Sequence, residues 1–277
     1  MDWNKANTIL ITAFIILNIF LFASIIDTTT STEYNPNNDE NFKNNVISLL
    51  EEKNIKINTK IPEDSFVLPI LETEYEIIEI NSRLMEQFLH ERIEPMEDVY
   101  SYSNSKGETL EIIDGKKLRL TLRKKSMEEI TGQLNIQEEI NNFTEEKNID
   151  IKGYNLHYTH TFENEIIHIY TENHNGFSMD NSYMYFFLDN EGIYKFEMQR
   201  ISSVKEIPEK VRLISAIEAL PRILTYPEIA DKEIVNIQMT YYSVEDENWK
   251  NIERINSDPM WKVIFSDGTQ KHLPGID

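Results

Sequence analysis

The chain has 277 residues, of which 40% are hydrophobic and 10% aromatic, so its main body has enough apolar material for a folded core and is not intrinsically disordered. Its 48 acidic residues outnumber its 27 basic ones, and the net charge of −21 argues against binding to nucleic acid or tight adsorption to an anionic lipid surface. Because the sequence has no cysteine, disulfides, thiolate nucleophiles and cysteine-ligated metals are excluded.

Residues 8–26 form an uncharged apolar segment. As a helix it spans about 28 Å, close to the roughly 30 Å hydrocarbon core of a bilayer. It is longer than the apolar region of a signal peptide and ends in bulky isoleucines instead of a small-residue cleavage site, so we expect a retained transmembrane anchor. Lys5 precedes it and no basic residue follows before Lys43, which predicts a cytoplasmic N-terminus at residues 1–7 and an extracellular body.

Small and polar residues on the predicted anchor indicate a contact with another helix. Thr8, Thr12 and Ala23 fall within about 60° of one another around the helix, and Asn18 lies at the edge of this stripe. Such residues mark helix–helix contacts in membranes, where an amide hydrogen bond contributes about 0.6–2 kcal/mol. We predict that these four residues contact a partner helix. The alternative is an asparagine that a single-pass helix tolerates through bonding to its own backbone.

Residues 27–40 are rich in Thr, Asn and acids and lack apolar periodicity, which predicts a linker. Apolar residues at helical spacing between Phe42 and Leu50 then predict a helix, with Asp39 or Asn41 as its cap. The following pattern predicts extended segments over 66–80, a helix over 81–90 and a strand meander over 98–124.

A second predicted helix, within residues 135–151, ends as the first one does. Glu51–Ile55 and Glu145–Ile149 have the same sequence, and each stands where a helix gives way to a strand. The asparagines of both copies suit a left-handed, helix-ending conformation. We therefore divide the outer part into two units, residues 41–132 and 133–277; the alternative is a chance match in a chain rich in these residue types.

The second unit is predicted to consist mostly of strands. Its predicted strands lie at residues 153–162 and 165–173, in a hairpin over 181–201 that turns at 189–192, and at 234–244, 260–268 and 269–275. Ser215 and Glu218 form a capping box for a helix that Pro221 kinks or delays. Because helices and strands cluster instead of alternating, we expect an α+β body of two units with mainly antiparallel sheets.

The sequence offers little for catalysis. No glycine-rich phosphate loop and no nucleophile elbow is present. His157 and His160 form the closest histidine pair, but residues three apart on a regular strand point to opposite faces. His168 and His174 could lie near them if the hairpin pairs as predicted. We therefore expect no enzyme, no metal site, no cofactor and no small-molecule substrate.

Three segments resemble one family: the opening MDWNKANTILITAFIILNIFLF, LPILETEY at 68–75, and MWKVIFSDG at 260–268. They are similar to YycI (WalI) proteins of low-G+C Gram-positive bacteria. The resemblance implies a non-enzymatic, extracytoplasmic accessory protein of the WalK/WalR (YycG/YycF) two-component system, which governs cell-wall metabolism. It also implies the sensor kinase WalK and the sister protein YycH as partners, contacted largely through transmembrane helices. Family anchors often carry an acidic residue where Asn18 stands.

Three functions are left open. The first is a single-pass cell-membrane regulator that modulates the sensor histidine kinase through its transmembrane helix and outer domain. The alternative is a surface-tethered binding module for a wall component or peptide, which needs no native anchor. A membrane-anchored hydrolase would require a convergent metal or nucleophile cluster.

Overall fold

The computed structural model describes residues 39–130, 134–245 and 249–276, apart from the side chain of Lys250. The chain divides into two units, residues 1–44 and 45–277, and the sheet described below belongs to the second. Within the described ranges, no helix combines the length and apolarity needed to cross a bilayer. The predicted anchor, residues 8–26, lies outside them.

Four α-helices occur in the described ranges. They are α1 (Glu40–Glu51), α2 (Ser82–Leu89), α3 (Ile136–Glu146) and α4 (Ala216–Ala219), and 3-10 turns lie at Leu220–Thr225, Pro227–Ile229 and Trp249–Asn251. The predicted capping box is confirmed, because the Ser215 backbone N–H donates to Glu218 Oε2 at 2.8 Å. Pro221 does not kink α4; that helix ends before it, and Pro221 lies in the first turn of the following 3-10 helix, where its missing N–H is tolerated.

The sheet has thirteen strands within the described ranges. They are β1 (Lys56–Ile57), β2 (Val67–Tyr75), β3 (Ser101–Ser103), β4 (Thr109–Ile113), β5 (Lys117–Thr121), β6 (Tyr154–Phe162), β7 (Glu165–His174), β8 (Phe177–Asp189), β9 (Gly192–Gln199), β10 (Ile201–Arg212), β11 (Glu233–Tyr242), β12 (Arg254–Phe265) and β13 (Gln270–Pro274).

The strand order is β10-β2-β12-β11-β8-β9-β5-β4-β3, with β1 beside β11, β13 beside β12, β7 beside β8 and β6 beside β7. Only the β1–β11 and β8–β11 pairings are parallel among the described strands. The predicted α+β class with mainly antiparallel pairing is therefore confirmed.

Strands from both sides of residue 132 pair with one another in this sheet, since β5 pairs with β9, and β2 pairs with β10 and β12. The predicted boundary between units falls at residues 131–133, outside the described residues, and stays a prediction.

Asn54 and Asn148 both adopt positive φ, 55° and 49°, as their repeated pentapeptides predict.

The main apolar core lies between α2, α3 and one face of the sheet. Met184, Phe186 and Leu188 alternate along β8 and belong to this core, which also holds Phe143 of α3. The intervening residues of β8 point to the other face, because side chains of a strand alternate. The core therefore fixes which residues of β8 face the cavity described below.

A buried ion pair holds the β8–β9 hairpin against the chain that leaves β5. Arg123 Nη1 and Nη2 donate to the two carboxylate oxygens of Asp189 at 2.6 and 2.5 Å, and Asp189 also accepts from the backbone of Ser126 and Glu191. Burial raises the pKa of Asp189, but these hydrogen bonds outweigh it and lower the pKa to about 2.

Arg123→Gln is expected to lower the free energy of unfolding at pH 7 by about 1–2 kcal/mol. Because the pKa of folded Asp189 is depressed from 3.8 to about 2, its contribution is present above pH 4 and is lost as the pH falls towards 2. Urea unfolding between pH 2 and 7 is therefore expected to show a weaker acid dependence in the variant. Arg92→Gln, which removes an exposed pair with Glu94, serves as the control and is expected to change stability by less than about 0.5 kcal/mol. Equal losses from the two variants would contradict this assignment.

Candidate functional site

The described residues enclose a polar cavity of about 200 Å³ where β8 changes its neighbours. Near its start β8 pairs with β11 at Ser178 and Met179, and from Tyr183 onwards it pairs with β9. Its register against β7 jumps between these points, which leaves residues 180–182 without a partner on β7. This bulge turns Asp180 and Asn181 towards the cavity. The lining residues are Lys117, Thr171, Asp180, Asn181, Tyr183, Tyr185, Tyr242, Glu245, Lys262, Gln270 and His272.

Asp180 lies at the buried end of the cavity. Its Oδ2 accepts from Lys262 Nζ at 2.9 Å and from His272 Nε2 at 2.6 Å. Lys262 and His272 are direct neighbours across β12 and β13, so strand pairing brings both donors to one carboxylate oxygen. Burial raises the pKa of Asp180, but the charge of Lys262 and the hydrogen bond from His272 outweigh it and hold the pKa well below its usual range. Asp180 is therefore a carboxylate.

Glu245 forms a second polar centre in the segment after β11. Its Oε1 accepts from Gln199 Nε2 at 2.8 Å and Asn181 Nδ2 at 3.1 Å, and its Oε2 accepts from Lys117 Nζ at 2.7 Å. Burial raises the pKa of Glu245, but these hydrogen bonds and the charge of Lys117 lower it overall. The cavity thus contains two ion pairs, Asp180–Lys262 and Glu245–Lys117.

Aromatic rings form two walls of the cavity. The rings of Tyr183 and Tyr185 lie 4.5 Å apart between centroids, and Tyr242 stacks on His272 at 3.7 Å with an interplanar angle of 7°. Burial raises the pKa of Tyr183 and Tyr185 far above the usual range, and burial with the charge of Glu245 raises that of Tyr242 to about 12. All three phenols therefore stay protonated.

The two closest histidines do not follow simple strand alternation. A bulge between Leu156 and Tyr158 in β6 interrupts the regular register at His157. Burial, followed by the charge of Lys262, lowers the pKa of His157 to about 4 and also lowers that of His160. The opposite-face expectation assumed a regular strand, and this bulge interrupts that regularity between the two histidines. Among the residues that the structure describes, no group of three or more His, Asp or Glu could hold a metal ion.

The four residues predicted to contact a partner helix, Thr8, Thr12, Asn18 and Ala23, lie outside the described residues, and their role stays a prediction.

The sequence analysis did not predict the cavity residues. One signal was available: Lys262 interrupts an otherwise apolar strand and is 1% exposed, so it needs a buried counter-ion. No comparable sequence pattern indicates that Asp180 is buried or that a bulge in β8 presents it to the cavity.

Comparison with known proteins gives a family match and distant structural matches. The model of a family described as YycI protein matches residues 35–273. Among curated proteins, none matches the sequence.

YycH from Bacillus subtilis is similar in structure, with a TM-score of 0.50 at 13% identity; the match covers 77% of this chain and 53% of that chain. An uncharacterized protein from Eubacterium rectale matches with a TM-score of 0.44 at 12% identity, covering 83% of this chain and 94% of that chain. The C-terminal domain of Bacillus megaterium YpeB matches with a TM-score of 0.31 at 10% identity, covering 70% of this chain and 96% of that chain. At such identities, the similarity to YycH concerns the fold alone, and the chain spans about half the length of that structure.

Proposed function

Because this chain belongs to the YycI family, we propose that it modulates the sensor histidine kinase WalK (YycG) of the WalK/WalR two-component system from outside the cytoplasm. The observation that carries the proposal is the family match over residues 35–273, which includes nearly all of the outer body. YycI proteins are regulatory accessory proteins and not an enzyme family. The similarity to the YycH fold agrees with a relationship between the two accessory proteins.

The proposed topology follows from the charge and length of the first segment. Residues 1–7 lie in the cytoplasm, residues 8–26 cross the cell membrane once, and the remainder is extracellular. A linker over residues 27–40 has a root-mean-square span of roughly 20 Å if flexible, which keeps the outer body close to the membrane surface. The outer body is therefore within reach of other membrane proteins.

The proposed partners are WalK and the sister regulator YycH. Contact with them involves the outer body and the stripe formed by Thr8, Thr12, Asn18 and Ala23 on the anchor. An interhelical hydrogen bond from Asn18 would bias a pairing of helices without making it obligatory, because its contribution of about 0.6–2 kcal/mol is modest.

Exchange of residues 8–26 for an unrelated apolar helix of equal length is expected to abolish the effect of this protein on kinase output. The physical reason is that lipid provides no hydrophobic drive between helices, so pairing depends on the specific residues of the stripe. The measurement is transcription from a WalR-dependent promoter in cells lacking the native gene, with protein level checked by immunoblot. Unchanged output would reject helix pairing and leave the outer body as the active part.

A matched pair of point variants tests the stripe itself. Asn18→Leu removes the amide, and Asn18→Leu combined with Leu17→Asn restores it 100° away around the helix. Both variants are expected to have a reduced effect on kinase output. Full activity of the variant with the displaced amide would show that polarity in the membrane, and not a directed contact, is what matters.

A further inference from the structure

The cavity at the β8 bulge contains hydrogen-bond acceptors that the protein does not use. Asp180 Oδ1 and Thr171 Oγ1 are buried and have no hydrogen-bond partner among the described residues. The two residues are 8% and 2% exposed, and both line the cavity. Buried polar atoms are costly when unpaired, so these two mark a place for a group that donates hydrogen bonds.

The negative charge of Asp180 indicates that this donor is positively charged. Both of its protein partners, Lys262 and His272, bind Oδ2, which leaves Oδ1 as a free carboxylate oxygen. In a buried position, an ionised donor forms a stronger hydrogen bond to a carboxylate than a neutral one does. Tyr183 and Tyr185 line the same cavity, and aromatic rings attract a cation through their ring electrons. A primary ammonium group matches both features.

The outer end of the cavity favours an anionic group, in contrast to the cation favoured beside Asp180. The side chains of Lys117 and Glu245 are 26% and 17% exposed, whereas the side chains of Lys262 and Asp180 are 2% and 4% exposed, so the first pair lies nearer to solvent. Lys117 donates one of its three N–H groups to Glu245. The hydroxyls of Tyr183, Tyr185 and Tyr242 are protonated donors, and among the described residues none of the three has a hydrogen-bond partner. These groups suit a carboxylate on the ligand.

We propose that this cavity binds a small zwitterion of amino-acid size, with its ammonium group on Asp180 Oδ1 and Thr171 Oγ1 and its carboxylate towards Lys117 and the phenols. A volume of about 200 Å³ equals roughly six or seven water molecules, which accommodates one amino acid and little more. The site does not depend on the proposed regulatory function, because binding is measured on the purified chain without the kinase.

The test is isothermal titration calorimetry of the full chain in mild detergent with glycine, L-alanine and D-alanine. Propionate lacks the ammonium group, ethylamine lacks the carboxylate, and glycylglycine has both groups but separates them by a peptide unit. Saturable binding of at least one amino acid is expected, together with no binding of propionate or ethylamine. Binding of glycylglycine at least as tight as that of glycine would identify a short peptide, with its two charges further apart, as the zwitterion. Weaker binding would identify a free amino acid.

Two conservative variants locate the site. Thr171→Val keeps the side-chain shape and removes the unpaired hydroxyl, and Tyr183→Phe removes one phenol; each is expected to weaken binding roughly tenfold. Tyr158→Phe, on β6 and away from the cavity lining, is the control and is expected to bind as the wild type does. Thermal unfolding establishes that each variant is folded. The proposal is rejected if no amino acid binds, if ethylamine or propionate binds as well as the amino acids, or if neither variant weakens binding.

Discussion

Lys262→Met is expected to lower the free energy of unfolding at pH 7 by about 3–5 kcal/mol. The substitution keeps most of the apolar volume of the side chain but leaves Asp180 as a buried carboxylate with only the hydrogen bond from His272. Removing one partner of a buried ion pair is costly because the remaining charge has lost its compensation. The measurement is urea unfolding of the full chain followed by tryptophan fluorescence.

Two further variants separate the ion pair from other effects of this substitution. Combining Lys262→Met with Asp180→Asn removes both charges, and this double variant is expected to recover at least half of the lost stability. Lys205→Met, on the exposed strand β10, is the control and is expected to change stability by less than about 0.5 kcal/mol. If Lys262→Met costs no more than Lys205→Met, the buried pair contributes nothing to stability.

Phe186→Ala is expected to lower the free energy of unfolding by about 3–5 kcal/mol. The ring is fully buried and lies 6.0 Å from Phe143 of α3, 5.6 Å from Tyr170 and 5.0 Å from Phe196, measured between centroids. Its removal leaves a cavity between the helix and three strands that the rigid sheet cannot close. Urea unfolding again measures the loss.

The neighbouring residue provides the matched control. Phe187 points to the opposite face of β8, is partly exposed, and lies beneath Lys195 Nζ, which is 3.7 Å from the ring centroid. Phe187→Ala is expected to cost about 1–2 kcal/mol, because it removes a cation–π contact and half-buried area without opening the core. Comparable losses at the two positions would contradict the assignment of the faces.

Much of the local structure was predictable because its signals are local. The hairpin turn at residues 189–192, the capping box at Ser215 and the positive φ of Asn54 and Asn148 each depend on a few adjacent residues. Strand β10 was missed: the pattern of ISSVKEIPEKVR does not alternate, and Pro208 argues against a strand. The structure places this segment beside β2 alone, and a proline is tolerated at such an edge.

The cavity was not predictable because its parts meet only through non-local pairing. Lys262 and His272 lie on adjacent strands, but Asp180 reaches them through a bulge in β8 that no residue pattern announces. The same applies to His157, whose direction depends on a bulge in β6. Strand alternation predicts a face correctly only while the register is regular.

Strand β12 lies inside the sheet, paired with β2, β11 and β13, although it comes from the last part of the chain. Its partner β2 lies almost two hundred residues earlier in the chain. This part of the sheet can therefore form only after β12 has been synthesised. Pairing of such distant segments is slow, because loop-closure entropy is lost before contacts compensate for it. During synthesis, therefore, β2 can form its pairing with β12 only after Arg254–Phe265 has emerged from the ribosome.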